Sequence, residues 1–436
     1  MIQHTLSTIF REHGGKRLIH DKMIDYIHPE HIVRALSNLP QLVLEVTDAC
    51  NLKCKYCAYG ELYEGYDKRH NRKMSFDMVR RIIDYLYPLW TSKYNTSSQQ
   101  TLYISFYGGE PLMNMPLIEK VVDYMEGLRI PHRTIRFSMT TNAILLDRYM
   151  DFIVEHDFSL LVSLDGNRRN DSYRVDHSGN PSFDRVVCNI DLLKERHPDY
   201  FRRSVNFNSV FHNRSSVEDV YSFIKERYDK IPSISDLNNV GIKPDKKDEF
   251  ERMFQSSTQN LNMSGKKDEI KEALSLRNPE YRTLTLFLKQ HSGFAFEDYT
   301  DLLFEKGEPT FIPTGTCLPF TRKLYLSVNG KILPCERIGQ QFGLGEVTDT
   351  EVRLDPALIA NKCNERLARM EATCKACYNK KACSQCMYNL EGIDEKPECK
   401  GFMDKKAFQA YSARNMLLIS QRPSLYREIM TKVFSS

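Results

Sequence analysis

The chain has 436 residues, 41% hydrophobic and 27% charged, an ordinary composition for a folded globular protein and enough length for two or three cores. Its formal net charge of +4 is too small to argue for nucleic acid as the main partner. No apolar run reaches the ~18 residues of a membrane span, and the opening MIQHTLSTIFREHGGKRL holds no signal-peptide core, so a cytoplasmic location is expected.

Residues 1–39 are expected to form an N-terminal helical extension. From 40 to 242, strand and helix signals alternate. Gln41–Thr47 (QLVLEVT) reads as a strand. Ser75 offers an N-cap to a helix in which Val79, Ile82, Ile83 and Leu86 recur at helical spacing. A second strand, Leu102–Tyr107, ends at Gly108-Gly109, and Pro116 opens a helix with Leu117, Val121, Tyr124 and Leu128 on one side. Strands follow at Ile135–Thr140, Leu160–Leu164 and Val205–Phe211, with a weaker one near 234–242 and helices at about 147–156, 183–196 and 216–228. Repeated strand–helix units imply an α/β fold with a parallel sheet and right-handed crossovers. Five or six units make an open or partial barrel rather than a closed eight-fold one. Residues 243–310, polar and rich in Lys and Asp, read as a helical bridge, 311–400 as a separate cysteine-rich domain, and 401–436 as a helical tail.

The twelve cysteines are bunched. A reducing compartment disfavours structural disulfides, so clustered thiols there point to metal or redox chemistry. Cys50, Cys54 and Cys57 form a C-x3-C-x2-C run directly after the first strand, at the C-terminal edge of the sheet, where parallel α/β folds bind ligands. Three thiolates can hold three irons of a 4Fe–4S cluster and leave the fourth open to a ligand. A zinc site completed by a distant His, or three thiols without a task, are the plainer alternatives.

The segment LEVTDACNLKCKYCAYG resembles the signature loop of radical S-adenosylmethionine (SAM) enzymes. The resemblance implies that SAM chelates the open iron and is reductively cleaved to a 5′-deoxyadenosyl radical that abstracts hydrogen from substrate. Gly108, Gly109 and Glu110 match the Gly-Gly-Glu motif that receives the methionine amino group, with Glu110 placed to neutralise an ammonium. Ser163-Leu-Asp-Gly166 resembles the segment near the cofactor's ribose and carboxylate, and Arg174 follows where relatives place a carboxylate-binding Arg. Tyr56 is expected to border the adenine through its backbone, and Asn142 is a further candidate. Ordinary turn and surface roles stand beside each of these.

Cys317 and Cys335 frame LYLSVNGKILPC, which reads as a hairpin with an Asn-Gly turn, and Cys374-x2-Cys377-x5-Cys383-x2-Cys386 is followed by Cys399. By spacing alone, paired C-x2-C units also suit zinc. Behind the first motif they resemble the SPASM domain, which carries auxiliary iron–sulfur clusters. That resemblance implies Cys374, Cys377, Cys383 and Cys399 on one cluster and Cys317, Cys335 and Cys386 on the other. Two features depart from the pattern: two residues instead of three precede Cys386, and no cysteine lies between Glu305 and Thr316. The first auxiliary cluster is therefore expected to have an open iron, or to use Cys363. Cys188 falls opposite the apolar stripe of its helix and reads as a spectator. Glu336, where sulfatase-maturing relatives have an Asp, is a candidate proton acceptor, or a solvated carboxylate.

Proteins of this architecture mostly modify peptides, so the expected activity is maturation of a ribosomally made peptide by thioether or carbon–carbon crosslinking or by epimerisation. The alternatives are an anaerobic sulfatase maturase that makes formylglycine, and a metal-stabilised scaffold or peptide-binding protein without radical activity. Expected partners are a precursor peptide, a flavodoxin or ferredoxin electron donor, and a separate leader-binding protein if the chain's own N-terminal helix or bridge does not grip the leader. The basic loop Lys68–Lys73 reads as solvated, or as a site for an acidic leader.

Overall fold

The structure is a computed structural model and describes residues 27–96, 100–274, 279–291 and 314–433. Most of the N-terminal extension and the end of the bridge, residues 292–310, lie outside the described residues. The described chain falls into two compact units. One holds residues 27–291, 317–362 and 417–433; the other holds 314–316 and 363–416.

The larger unit is built on strand–helix repeats. After α1 (Pro29–Ser37), β1 (Gln41–Thr47) is buried along nearly its whole length, as a central parallel strand must be. Next comes α2 (Phe76–Trp90), whose N-cap Ser75 accepts from Met78 N, with Val79, Ile82, Ile83, Leu86 and Trp90 fully buried. The repeats continue through β2 (Thr101–Gly108), α3 (Met115–Glu126), β3 (Thr134–Thr141), α4 (Leu146–Glu155), β4 (Ser159–Ser163), α5 (Phe183–Arg196), α6 (Pro198–Ser204), β5 (Val205–Phe211), α7 (Val217–Tyr228) and β6 (Ser233–Asp236). Strands β1 to β6 lie side by side in chain order and pair in parallel, the six-unit open array expected. Two details differ from expectation. The buried stripe of α3 is Leu117, Ile118, Val121, Val122 and Met125, with Tyr124 half-buried, and α6 adds a short helix that Pro198 starts without a clear periodic signal.

Alternation along the strands sorts the two faces. Leu42, Leu44, Ile104, Phe106, Phe137, Met139, Leu160, Val162 and Phe207 form the core. Gln41, Val43, Ser105, Tyr107, Ser138, Thr140, Ser159, Leu161 and Asn206 line a cavity of about 320 Å³, together with Lys323, Glu336 and Arg337. Its wall is polar and ordered: Gln41 Nε2 donates to Ser105 Oγ (2.7 Å), which shares a hydrogen bond with Ser138 Oγ (2.6 Å).

The helices α8 (Lys247–Met253), α9 (Ser257–Met263), α10 (Lys267–Leu274) and α11 (Pro279–His291) belong to the same unit as the sheet. Leu261, Ile270 and Leu274 pack on Phe211, Val217 and Tyr221, which gives the polar stretch a narrow apolar face. The hairpin of β7 (Leu324–Leu326) and β8 (Lys331–Leu333), then β9 (Gly345–Val347) and β10 (Val352–Arg353), extend the main sheet, with β7 parallel to β1. All three β7 residues are buried, and Glu45 Oε2 accepts from Val328 N at 3.0 Å. The helices α12 (Pro356–Ala376), α13 (Lys405–Gln421) and α14 (Pro423–Lys432) complete the described elements. Among the described residues no helix is long and apolar enough to cross a membrane.

Candidate metal centre

The loop leaving β1 carries Cys50, Cys54 and Cys57 at the C-terminal edge of the sheet. The segment after β4 pins it: Lys53 N donates to Val175 O (2.7 Å) and Lys55 N to Tyr173 O (3.1 Å). His177 Nε2 donates to Cys50 O at 2.8 Å, a contact that no motif signalled. All three thiols are half-buried, and Cys57 acts electrostatically on both of the others. Burial pushes Cys50 up to about 11 and Cys54 up to about 12, so a bound cation is what would turn them into thiolates. Among the described residues, no group of three or more His, Cys, Asp or Glu is gathered tightly enough to hold a single metal ion.

Gly108 and Gly109 are dictated by close backbone approach. A Cβ would lie 2.2 Å from Thr47 O at Gly108 and 2.0 Å from Ala49 O at Gly109. Gly109 N donates to Thr47 O and Glu110 N to Ala49 O, lacing the exit of β2 to the start of the cysteine loop. Glu110 has no exposed surface. Its Oε1 accepts from Thr141 Oγ1 (2.7 Å) and Leu112 N (3.2 Å), and its Oε2 from Asn142 N (2.7 Å). Burial outweighs these donors and pushes the carboxyl up to about 7. Asn142 in turn donates to Asn51 Oδ1 at 2.7 Å and reaches Cys50 Sγ at 3.8 Å. Asn51 Nδ2, next to Cys50, is buried without a partner. An unfilled donor beside three thiols fits a site built for a sulfide- or oxygen-bearing group.

Arg174 lies in the interior against two carboxylates. Its Nε and Nη2 reach the two oxygens of Asp165 at 3.1 and 3.2 Å, with Asp171 Oδ1 at 3.5 Å, all in the interior. Tyr56 donates to the same Asp165 and stacks on His212, so its side chain belongs to the core beneath the loop and leaves only its backbone toward a ligand. Ser163 ends β4 half-buried, on the strand face that Ser159 and Leu161 share with the cavity.

Glu336 lines that cavity. Burial works to raise its pKa, but Lys323 Nζ at 3.0 Å, with Arg337 at 3.8 Å, outweighs it and holds the carboxyl below its usual range. It is a paired carboxylate rather than a solvated one. Cys335 Sγ lies 3.6 Å from Glu336 Oε2, and burial pushes that thiol up to about 11. Above the cavity, Tyr59 packs edge-on against Tyr66 (5.0 Å) and Tyr107 (6.3 Å), with Arg69 over its ring at 4.1 Å. The basic loop is thus partly turned inward: Asp48 accepts from His70 N and Arg72 N, and Arg69 Nη1 donates to Asp48 O.

In the smaller unit, Cys374 is buried and pushed up to about 12, first by burial and then by Cys383, Cys399 and Cys377. Cys386 and Cys363 share that unit, and buried Cys363 meets Tyr388 Oη at 3.6 Å. Cys317, exposed, and Cys335 belong to the larger unit, and Cys188 is exposed on α5.

Residues 44–226 match the model of the radical SAM superfamily. An uncharacterized protein of Methanocaldococcus jannaschii is 34% identical over 36% of this chain and 50% of its own length. The cysteine-type anaerobic sulfatase-maturating enzyme of Clostridium novyi is 26% identical over 44% of this chain and 49% of its own. A radical SAM cyclopropyl synthase of Paramaledivibacter caminithermalis is 26% identical over 46% and 39%. The chain thus spans about half the length, or less, of these curated relatives. The structure of native anSMEcpe with bound AdoMet shares the fold, with a TM-score of 0.55 and 18% identity over 89% of this chain and 99% of that one. With its three-thiol loop at the C-terminal edge of a six-stranded parallel array, the chain carries a radical SAM domain over residues 44–226.

Proposed function

We propose that the chain is a radical SAM maturase that modifies a ribosomally made peptide. The observation that carries this reading is the cysteine loop standing at the C-terminal edge of a sheet whose polar inner face holds a cavity with an ionised carboxylate, Glu336. Cys50, Cys54 and Cys57 would hold three irons of a 4Fe–4S cluster, and Gly108–Gly109, Ser163 and the backbone of Tyr56 would border SAM. Bound there, these cofactors supply an electron and a 5′-deoxyadenosyl radical able to take hydrogen from a substrate carbon.

The chain's own residues orient and protect. Glu110 and Asn142 tie the end of β3 to the cysteine loop, so the loop is braced from two strands. Arg174 acts through Asp165 and Tyr56 as a positioning residue rather than as a ligand for the cofactor carboxylate. Glu336, held ionised by Lys323, is poised to accept a proton from substrate and cannot donate one near neutral pH. Cys374, Cys377, Cys383 and Cys399 would hold one auxiliary 4Fe–4S cluster, and Cys317, Cys335 and Cys386 a second with an open or Cys363-filled position. The partners of this reading are a precursor peptide, a flavodoxin or ferredoxin donor and, where needed, a leader-binding protein, in the cytoplasm.

A second reading, formylglycine formation on a sulfatase, is favoured by the carboxylate following Cys335 and by relatives named as sulfatase-maturating enzymes. Anaerobic reconstitution with iron and sulfide tests both. The loaded protein should cleave SAM to 5′-deoxyadenosine under reductant, and Cys54→Ala should abolish cleavage. Mass spectrometry of a co-expressed precursor peptide should then show loss of a hydrogen pair per crosslink, or deuterium uptake on epimerisation. Oxidation of a leaderless sulfatase peptide instead would select the second reading, and absence of SAM cleavage would leave only a scaffold.

A further inference from the structure

The opposite edge of the sheet holds a second cavity that the proposed chemistry does not use. It measures about 600 Å³ and lies where α3 and α4 end beside the start of β3. Three arginines line it, Arg129, Arg133 and Arg136, with His156 and one acid, Glu126.

Arg133 is the unusual member. Only 9% of it is exposed. Its Nη2 donates to Leu39 O (2.6 Å) and Thr101 O (3.2 Å), which fixes the guanidinium at the N-terminal ends of β1 and β2. Its Nε and Nη1 are buried and have no hydrogen-bond partner. A guanidinium cannot discard its charge, so unfilled donors in the interior carry a full desolvation cost unless an acceptor arrives.

The surrounding charges do not supply that acceptor. Glu126 is taken by His156 at 2.8 Å, and Arg136 shares Asp157 with Arg203. Among the described residues, no carboxylate lies within 4 Å of Arg129 or Arg133. The C-terminal ends of α3 and α4 bring partial negative charge, about half a unit each and confined to the last turn. That offsets part of the excess and leaves positive charge beside a cavity of ligand size.

We propose that this cavity binds a small oxyanion, a phosphate or carboxylate group of a soluble compound, with Arg133 as its buried anchor and Arg129 closing on it from the surface. The site is separate from the radical centre, since it lies at the N-terminal ends of the strands whereas the cysteine loop lies at their C-terminal ends.

The test uses the full metal-loaded chain under anaerobic conditions. Its melting temperature is followed with inorganic phosphate, with succinate and with chloride at matched ionic strength. Phosphate or succinate should raise it by about 2 °C or more beyond chloride. The anion giving the larger shift identifies the phosphoryl or the carboxylate chemistry, and either result supports the site. Calorimetric affinity for that anion should fall about tenfold in Arg129→Ala, an exposed position where folding is not at stake, and further in Arg133→Lys. No shift with either anion, or an affinity unchanged in Arg129→Ala and in a folded Arg133→Lys, would overturn the proposal.

Discussion

Glu110 accepts three hydrogen bonds without any exposed surface, and its carboxyl is held up to about 7 against an ordinary 4.5. A group so raised takes up a proton on folding between those two values, so the folded state binds more protons there than the unfolded state. Its contribution is complete below about pH 4.5 and is lost as pH rises through 7. The metal-free chain should therefore lose about 1–3 kcal/mol of stability between pH 5 and pH 8 from this residue. Glu110→Gln should remove that part of the pH dependence, since an amide does not titrate. Urea unfolding at both pH values reads each effect. The motif located Glu110 in the sequence, but its partners, Thr141 and Asn142, sit 31 and 32 residues away on the next strand. Arg174 is similar: spacing marked it, while its pairing with Asp165 depends on the short helical turn Asn170–Tyr173 that folds one back on the other.

The parallel strands were legible because each is an apolar run between turn signals, and helices such as α2 carry their own caps. The hairpin of β7 and β8 was legible as a hairpin, but not as part of the main sheet. Three-residue strands carry no signal of their neighbour, and β7 is bound to β1 by register and by Val328 N on Glu45, 283 residues away. This placement has a consequence for stability. Leu326 is fully buried opposite Leu44, so Leu326→Ala should cost about 2–4 kcal/mol. The single tryptophan, Trp90, is buried on α2 in the same unit and reports that unit's unfolding by fluorescence. Its urea midpoint should fall in Leu326→Ala. A midpoint unchanged while another probe shifts would mean that the hairpin unfolds as a domain of its own.

Across the whole molecule the thiols divide as the units do. Cys50, Cys54, Cys57, Cys188, Cys317 and Cys335 belong to the unit with the sheet, and Cys363, Cys374, Cys377, Cys383, Cys386 and Cys399 to the smaller one. The sheet unit has a large apolar core. The smaller unit spans roughly fifty contiguous residues beyond 363, a size at which an apolar core alone is marginal and metal or another staple is usually required. Metal binding there is folding free energy, since a preformed thiol cage rarely exists in the unfolded chain. Cys374→Ala combined with Cys377→Ala should therefore remove at least about a third of the bound iron if three 4Fe–4S clusters are present. Amide hydrogen exchange should quicken across 363–416, and the Trp90 urea midpoint reads whether the sheet unit responds. A Trp90 transition that moved together with the exchange would show that the smaller unit's metal supports the sheet as well.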